Sequence, residues 1–218
     1  MGNNARLQQW LTGFHDEAHI LEPFSLKKIV NLSYIDQLTN LYNRKGFDRQ
    51  LQRAIEKFHR DSRFIFSLLV IDIDRFKAIN DDNGHLVGDQ ALKLIADCLR
   101  QYDAIRYGGE EFVVALELDS NTAFVVAERI RLSVAALAIT TENTVIRPTI
   151  SIGIAEFPTH LSKVEQQKIQ PAMNQPLSTA VKLELTKAIT DSADKALYQA
   201  KEQGRNRCIV AEAGADLS

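Results

Sequence analysis

Cysteine is scarce: 218 residues hold only Cys98 and Cys208, far apart and in no CxxC pattern. Disulfide frameworks and thiolate zinc sites need several closely spaced thiols, so both are excluded and the two thiols are expected reduced. A charge excess is also missing. Twenty-six Lys+Arg face 28 Asp+Glu for a net charge of −2, which gives no global attraction to nucleic acid or anionic membrane, though a local phosphate site is still allowed. Long apolar runs are missing too. The longest, 65–71, is broken by Ser67 and is far too short to span a bilayer, so no membrane segment is expected. The N-terminus lacks the apolar h-region of a signal peptide, so the cytoplasm is the expected compartment. A soluble piece of a longer receptor would read the same way.

What is present is ordinary globular material, 45% hydrophobic and 25% charged, enough to bury a core. Leu7, Trp10, Leu11, Phe14, Ala18 and Leu21 recur at helical spacing until Pro23 interrupts, and Ser25 is placed to cap a second helix. Residues 1–33 are therefore expected as a helical lead-in, either packed on its own domain or acting as a dimerising stalk. The run 63–74 ends in acids and predicts a central strand buried on both faces. Residues 91–102 and 122–137 have helical periodicity, and 145–157 alternates as a strand. The stretch 104–116 is two strand-like runs about Gly108 and Gly109, a hairpin signal. Residues 158–190, with Pro158, Pro171 and Pro176, predict an irregular insertion with a helix near its end. A helix over 192–204 and a last strand follow, then a tail at 213–218. The alternation predicts an α/β (α+β) sandwich with a mixed, largely antiparallel sheet flanked by helices.

Three acidic places carry chemistry. Asp72 and Asp74 are two apart on one strand, so their side chains share a face. Asp72 follows a long buried run, where a bare carboxylate is costly and must be paired or metal-bound. Glu110 and Glu111 follow the glycine pair, and strand alternation aims only one of them at Asp72. Two hard oxygen ligands at a strand end suit Mg²⁺, with water and phosphate oxygens completing an octahedron. A turn without Cβ atoms lets a bulky ligand lie against the backbone. Backbone N–H groups at Arg75, Phe76 and Lys77 are placed to face phosphates. Lys201 and Arg205 either complete a helix dipole or neutralise a triphosphate.

RYGGEEF (106–112), with IDIDRFKAINDDNGHLVGD upstream and ADKALYQAKEQGRNR downstream, resembles the GGDEF-domain diguanylate cyclases. DQLTNLYNRKGF (36–47) is similar to that family's opening motif, and TISIGIA (149–155) to its late strand. The resemblance covers roughly 34–210. It implies a fold similar to the nucleotidyl cyclase and polymerase palm, within one catalytic domain over 34–212. It implies condensation of two GTP into cyclic di-GMP, with two pyrophosphates released, at a site formed between two subunits of a homodimer. Carried over by position, it implies Asp72, Glu110 and the carbonyl of Ile73 as ligands of Mg²⁺, with Mn²⁺ as a substitute. Asn80 and Asp89 would read guanine. The backbone at Arg75–Lys77, with Lys201 and Arg205, would hold phosphates, and Glu111 would assist deprotonation of the 3′-hydroxyl or bind a second metal.

Departures from the family pattern are specific. Asn40 stands where glycine is usual, and asparagine tolerates left-handed backbone. Lys45 replaces an arginine. Arg100 and Asp103 spell the family's RxxD product-inhibition motif, but four residues rather than five separate it from the glycines. The segment 158–190 is longer than usual. Two other functions are weighed: a non-catalytic GTP or cyclic di-GMP binding module, which would usually have lost these acids, and a cyclase making a different dinucleotide.

Overall fold

Phe66–Ile73 is buried at every position and forms the central strand of a six-stranded sheet in a computed structural model that describes residues 34–141, 144–169 and 176–213. In chain order the elements are β1 (Tyr42–Asn43), α1 (Arg44–Arg60), β2 (Phe66–Ile73), α2 (Phe76–Asn83), α3 (His85–Leu99), β3 (Ile105–Arg106), β4 (Glu111–Leu116), α4 (Ser120–Ala135), β5 (Ile139–Thr140), β6 (Val145–Ile146), β7 (Ile150–Phe157), α5 (Lys163–Ile169), α6 (Thr179–Glu202) and β8 (Cys208–Val210). The sheet order is β1-β3-β4-β2-β7-β8. β3–β4, β4–β2 and β2–β7 pair antiparallel, while β1–β3 and β7–β8 pair parallel. The sheet is thus mixed and largely antiparallel, as expected, with helices on both faces.

The pleat of β2 builds two cores. Leu69, Ile71 and Ile73 face α3 and α4, meeting Leu92, Ile95 and Ile130. Phe66, Leu68 and Val70 face α1 and α6, meeting Leu51, Ile55 and Ile189. Each such fully buried side chain contributes roughly 1.5–3 kcal/mol of transfer free energy. One glycine sets the spacing of the second layer. A Cβ on Gly153 of β7 would stand 2.0 Å from the carbonyl oxygen of Ala193 and 2.3 Å from the amide nitrogen of Leu197, so α6 lies directly on the strand backbone.

Four expectations need correction. Helix α1 was not read from the sequence, although Asn43 caps it by accepting from the Lys45 amide and Phe47, Leu51 and Ile55 recur every four residues on its buried side. Residues 75–89, polar and rich in Asn, Asp and Gly, contain α2 and the start of α3, split at Gly84, which has φ +85°. The expected strand at 145–157 is divided into β6 and β7, with Pro148 between them. The insertion at 158–190 has the helix expected near its end, but that helix is the start of α6, which begins at Thr179 rather than at 192, and a further helix, α5, occupies Lys163–Ile169. Ser178 caps α6 by accepting from the Val181 amide, and Leu185 and Ile189 are buried along it. The lead-in at 1–33 and all of the tail but Ala213 lie outside the described residues.

Candidate functional site

The carboxyl end of β2, the amino end of β4 and the last turns of α6 meet at one edge of the sheet. Asp72 is 5% exposed and lies across from Glu111 of β4 and Ser151 of β7 in the strand register. Lys201 Nζ donates to Asp72 Oδ2 at 2.9 Å. Burial holds the Asp72 carboxyl above its ordinary pKa, and the Lys201 ammonium opposes that shift. Glu110, just before β4, accepts from the Ile73 amide through its carbonyl at 3.3 Å. Burial, then the charge of Asp72, raises the Glu110 carboxyl, again against Lys201. Asp72, Glu110 and Lys201 therefore share one electrostatic neighbourhood.

Glu111, the register partner of Asp72, also helps to raise Glu110. Its Oε2 lies 2.5 Å from where a Gly108 Cβ would stand, while a Cβ on Gly109 would meet open space. Neither glycine has the positive φ of a tight two-residue hairpin; among the described glycines only Gly84 and Gly204 do. The pair serves by the side chains it omits: Gly108 makes room for the Glu111 carboxylate, and Gly109 leaves a surface that a ligand can approach. Arg106 fastens this turn. It donates to Asp36 Oδ1 at 3.0 Å and Oδ2 at 3.2 Å, and to the Gly109 carbonyl at 2.7 Å.

The strand end is braced by the Asp74 carboxylate, a role the sequence did not reveal. It accepts from Thr149 Oγ1 at 2.7 Å, Ser151 Oγ at 2.7 Å and the Asn206 amide at 3.0 Å. These bonds tie β2 to β7 and to the turn after α6, and with that they fix where Arg205 stands. That turn is a Schellman stop: the Gly204 amide donates to Lys201 and the Arg205 amide to Ala200, at 3.4 and 3.0 Å. Arg75 caps α2 from a left-handed conformation with φ 56° and makes no side-chain cap bond, so the first amides of α2, at Phe76 and Lys77, have no side-chain cap over them. The Phe76 side chain is buried in the core and Lys77 is exposed.

At the α2–α3 junction, Asn80 packs on Gly88, next to Asp89; a Cβ at Gly88 would stand 2.0 Å from Asn80 Oδ1. Because that atom ends a mobile side chain, Gly88→Ala is expected to preserve the fold and displace the amide. If Asn80 reads guanine, as the family resemblance implies, the KM for GTP is expected to rise about tenfold, the scale of one displaced hydrogen bond, with an unchanged melting temperature. A KM within twofold of the parent would remove Asn80 from base recognition.

Among the described residues, no three His, Cys, Asp or Glu side chains form a group that could hold a metal ion. What the site offers is a pair of mutually repelling hard carboxylates beside one ammonium, and a divalent cation would relieve that repulsion. The donor set fits a hard cation whose remaining ligands come from backbone, water and phosphate.

Residues 33–180 match the family model described as "Diguanylate cyclase, GGDEF domain". The chain belongs to the GGDEF family. It is 41% identical over 193 residues to diguanylate cyclase A of Treponema denticola, covering 85% of this chain and 46% of that one. It is 38% identical over 182 residues to diguanylate cyclase DgcP of Pseudomonas aeruginosa, covering 81% and 24%. The chain thus spans about half or less of these two relatives. Among solved structures, the coiled coil and GGDEF domain of DgcB from Caulobacter crescentus, in complex with c-di-GMP, aligns with TM-score 0.69 and 27% identity over 97% of this chain and 100% of that one.

Two further features mark this GGDEF domain. The first is the local setting of Arg100 and Asp103. Arg100 donates to Asp97 Oδ1 at 2.8 Å and to the Thr39 and Asn40 carbonyls at 3.1 and 3.4 Å, while Asp103 takes a left-handed φ of 52° at the end of a 3-10 turn. Asn40, at the usual glycine position, has φ 56°, the conformation that asparagine tolerates.

The second is Asp194, which the sequence reading passed over although it lies seven residues before Lys201 on the same stripe of α6. Its carboxyl is pushed up to about 6, by burial first and then by Glu111 and Asp191. The folded pKa exceeds the unfolded one, so the folded state binds more protons between about pH 4 and 6, and stability falls as pH rises through that window. Asp194→Asn is expected to stabilise the metal-free protein at pH 7. The gain is about 1 kcal/mol once discounted for the solvent exposure of the group, and it disappears below about pH 4. Melting curves at pH 4 and 7 check this, and an equal shift at both pH values would contradict it.

Proposed function

We propose that this chain is a diguanylate cyclase that joins two GTP into cyclic di-GMP. The observation that supports this best is the convergence of Asp72, Glu110 and Lys201 at the open edge of a GGDEF fold. Asp72, Glu110 and the Ile73 carbonyl would hold Mg²⁺, or Mn²⁺ in its place. When bound, the cation lowers the pKa of the 3′-hydroxyl, neutralises the α-phosphate and stabilises the departing pyrophosphate. Asn80 and Asp89 read the guanine edge, the amide as donor and acceptor and the carboxylate as acceptor from the base N–H groups. The backbone at Arg75–Lys77, with Arg205, takes the β- and γ-phosphates, and Lys201 turns from Asp72 to the phosphates. Glu111 receives the proton of the 3′-hydroxyl.

In each half-reaction, one GTP's 3′-oxygen forms a bond to the other's α-phosphorus, and the bond from that phosphorus to the bridging oxygen breaks. One pyrophosphate leaves each time, and two such steps close the ring. Each chain holds one GTP, so the reaction needs a homodimer that sets the two nucleotides face to face. Arg100 and Asp103 stand outside this chemistry and would instead hold the product at an inhibitory site. No helix among the described residues is long and apolar enough to cross a membrane, and the supply of GTP places the chain in the cytoplasm.

The test is incubation with GTP, with and without Mg²⁺, followed by mass-resolved chromatography. Cyclic di-GMP and pyrophosphate in a 1:2 ratio, only with the cation, are expected. Intact GTP, or a product of any other mass, would contradict the assignment.

A further inference from the structure

A cavity of about 580 Å³ opens beside the phosphate cradle, on the side of β2 away from the Gly108–Gly109 turn. Its walls are α2, the β6–β7 connection and the turn between α6 and β8. Ala78, Ile79, Asp82 and Asn83 face it from α2. Ala78 and Asp82, two residues either side of Asn80, point away from it on the helix, and neither Asn80 nor Asp89 lines the cavity, so it is distinct from the guanine pocket proposed above. It does share Arg75 and Arg205 with the cradle and adds Arg147 from the β6–β7 connection.

Three arginines therefore line one space. Among the described residues, Arg75, Arg147 and Arg205 make no side-chain ion pair with an acid. Of the two acids that line the cavity, Asp74 is fully engaged by its three hydrogen bonds; Asp82 has no such engagement among the described residues. The bordering backbone is strained at three non-glycine residues, with φ 56° at Arg75, 65° at Arg205 and 48° at Asn206, the kind of cost that persists where side chains are held for a purpose.

We propose that this cavity is a release subsite for pyrophosphate. The inference rests on the cyclase assignment above, because that reaction makes the ligand where the cavity begins. Once the α-phosphorus bond has broken, the diphosphate at Arg75 and Arg205 carries multiple negative charges and has a continuous cationic path to Arg147. Guanidiniums pair bidentately with phosphate oxygens. Movement into the cavity takes the product out of line with the α-phosphorus, so the reverse attack loses its nucleophile. The guanine stays on the other side of α2.

Titration calorimetry of the full chain with sodium pyrophosphate and Mg²⁺, without GTP, tests this directly. Arg147→Ala is expected to weaken binding about tenfold, the loss of one charge-assisted contact, and Asp82→Asn to tighten it severalfold. Arg63→Ala, at the opposite end of β2, controls for net charge and is expected to change nothing. The proposal is overturned if Arg147→Ala binds pyrophosphate as the parent does, or no more weakly than the Arg63 control. It is also overturned if 3′-deoxy-GTP, which cannot cyclise, loses as much affinity as pyrophosphate on Arg147→Ala, since the triphosphate itself would then occupy the cavity. A chain that makes cyclic di-GMP with Arg147-independent pyrophosphate binding sinks the subsite alone. A chain that makes none sinks the cyclase assignment, and the calorimetry still reads the cavity.

Discussion

Glu110→Gln is expected to lower cyclic di-GMP formation by about 10³-fold or more, with a melting temperature no lower than the parent's. The substitution keeps shape and removes one charge. In the metal-free protein that charge is a liability, since burial and Asp72 both disfavour it, so its loss relaxes the fold. In the reaction it is half of the carboxylate pair that would hold the cation, and losing one preorganised electrostatic partner of the reacting centre costs about 10²–10³ in rate even without loss of a metal. Initial rates and thermal melts on the same preparation separate the two effects. Turnover within tenfold of the parent would take Glu110 out of the metal site.

Gly153→Ala is expected to cost about 3 kcal/mol or more, the upper range for forcing a methyl group into a packed interior. The obstacles are backbone atoms of Ala193 and Leu197, which cannot rotate aside as a side chain can. Helix α6 must lift from β7 as a unit, and with it the Lys201 contact to Asp72. At roughly 2–4 °C per kcal/mol for a chain of this size, a fall of about 10 °C in melting temperature is expected. A melting temperature unchanged within 2 °C would show that α6 does not rest on the strand as described.

Legibility in the sequence followed burial. β2 was readable because a strand covered on both faces is almost wholly apolar, with the acids that end it marking where that cover stops, and β7 because its residues alternate. α2 was not, because Asn80, Asp81, Asp82 and Asn83 are turn formers by local preference; Phe76 and Ile79 hold them helical through tertiary packing. α6 was cut short at 192 because Pro171 and Pro176 and a polar outer face masked the buried side carrying Leu185 and Ile189. At the site, spacing brought Asp72 and the glutamates into view. It could not reveal that Asp74 is a brace rather than a ligand, because that depends on Thr149, Ser151 and Asn206, distant in the chain. Nor could it show that Gly108 and Gly153 are glycines for the sake of a neighbouring carboxylate and a neighbouring helix.

The most direct measurement is the initial rate of cyclic di-GMP formation from GTP and Mg²⁺ over a hundredfold range of protein concentration. Two half-sites on two chains predict a rate per chain that rises with concentration and levels off once the dimer is saturated. Cyclic di-GMP made at a rate per chain that stays constant down to concentrations where sedimentation shows only monomer would contradict the two-chain site.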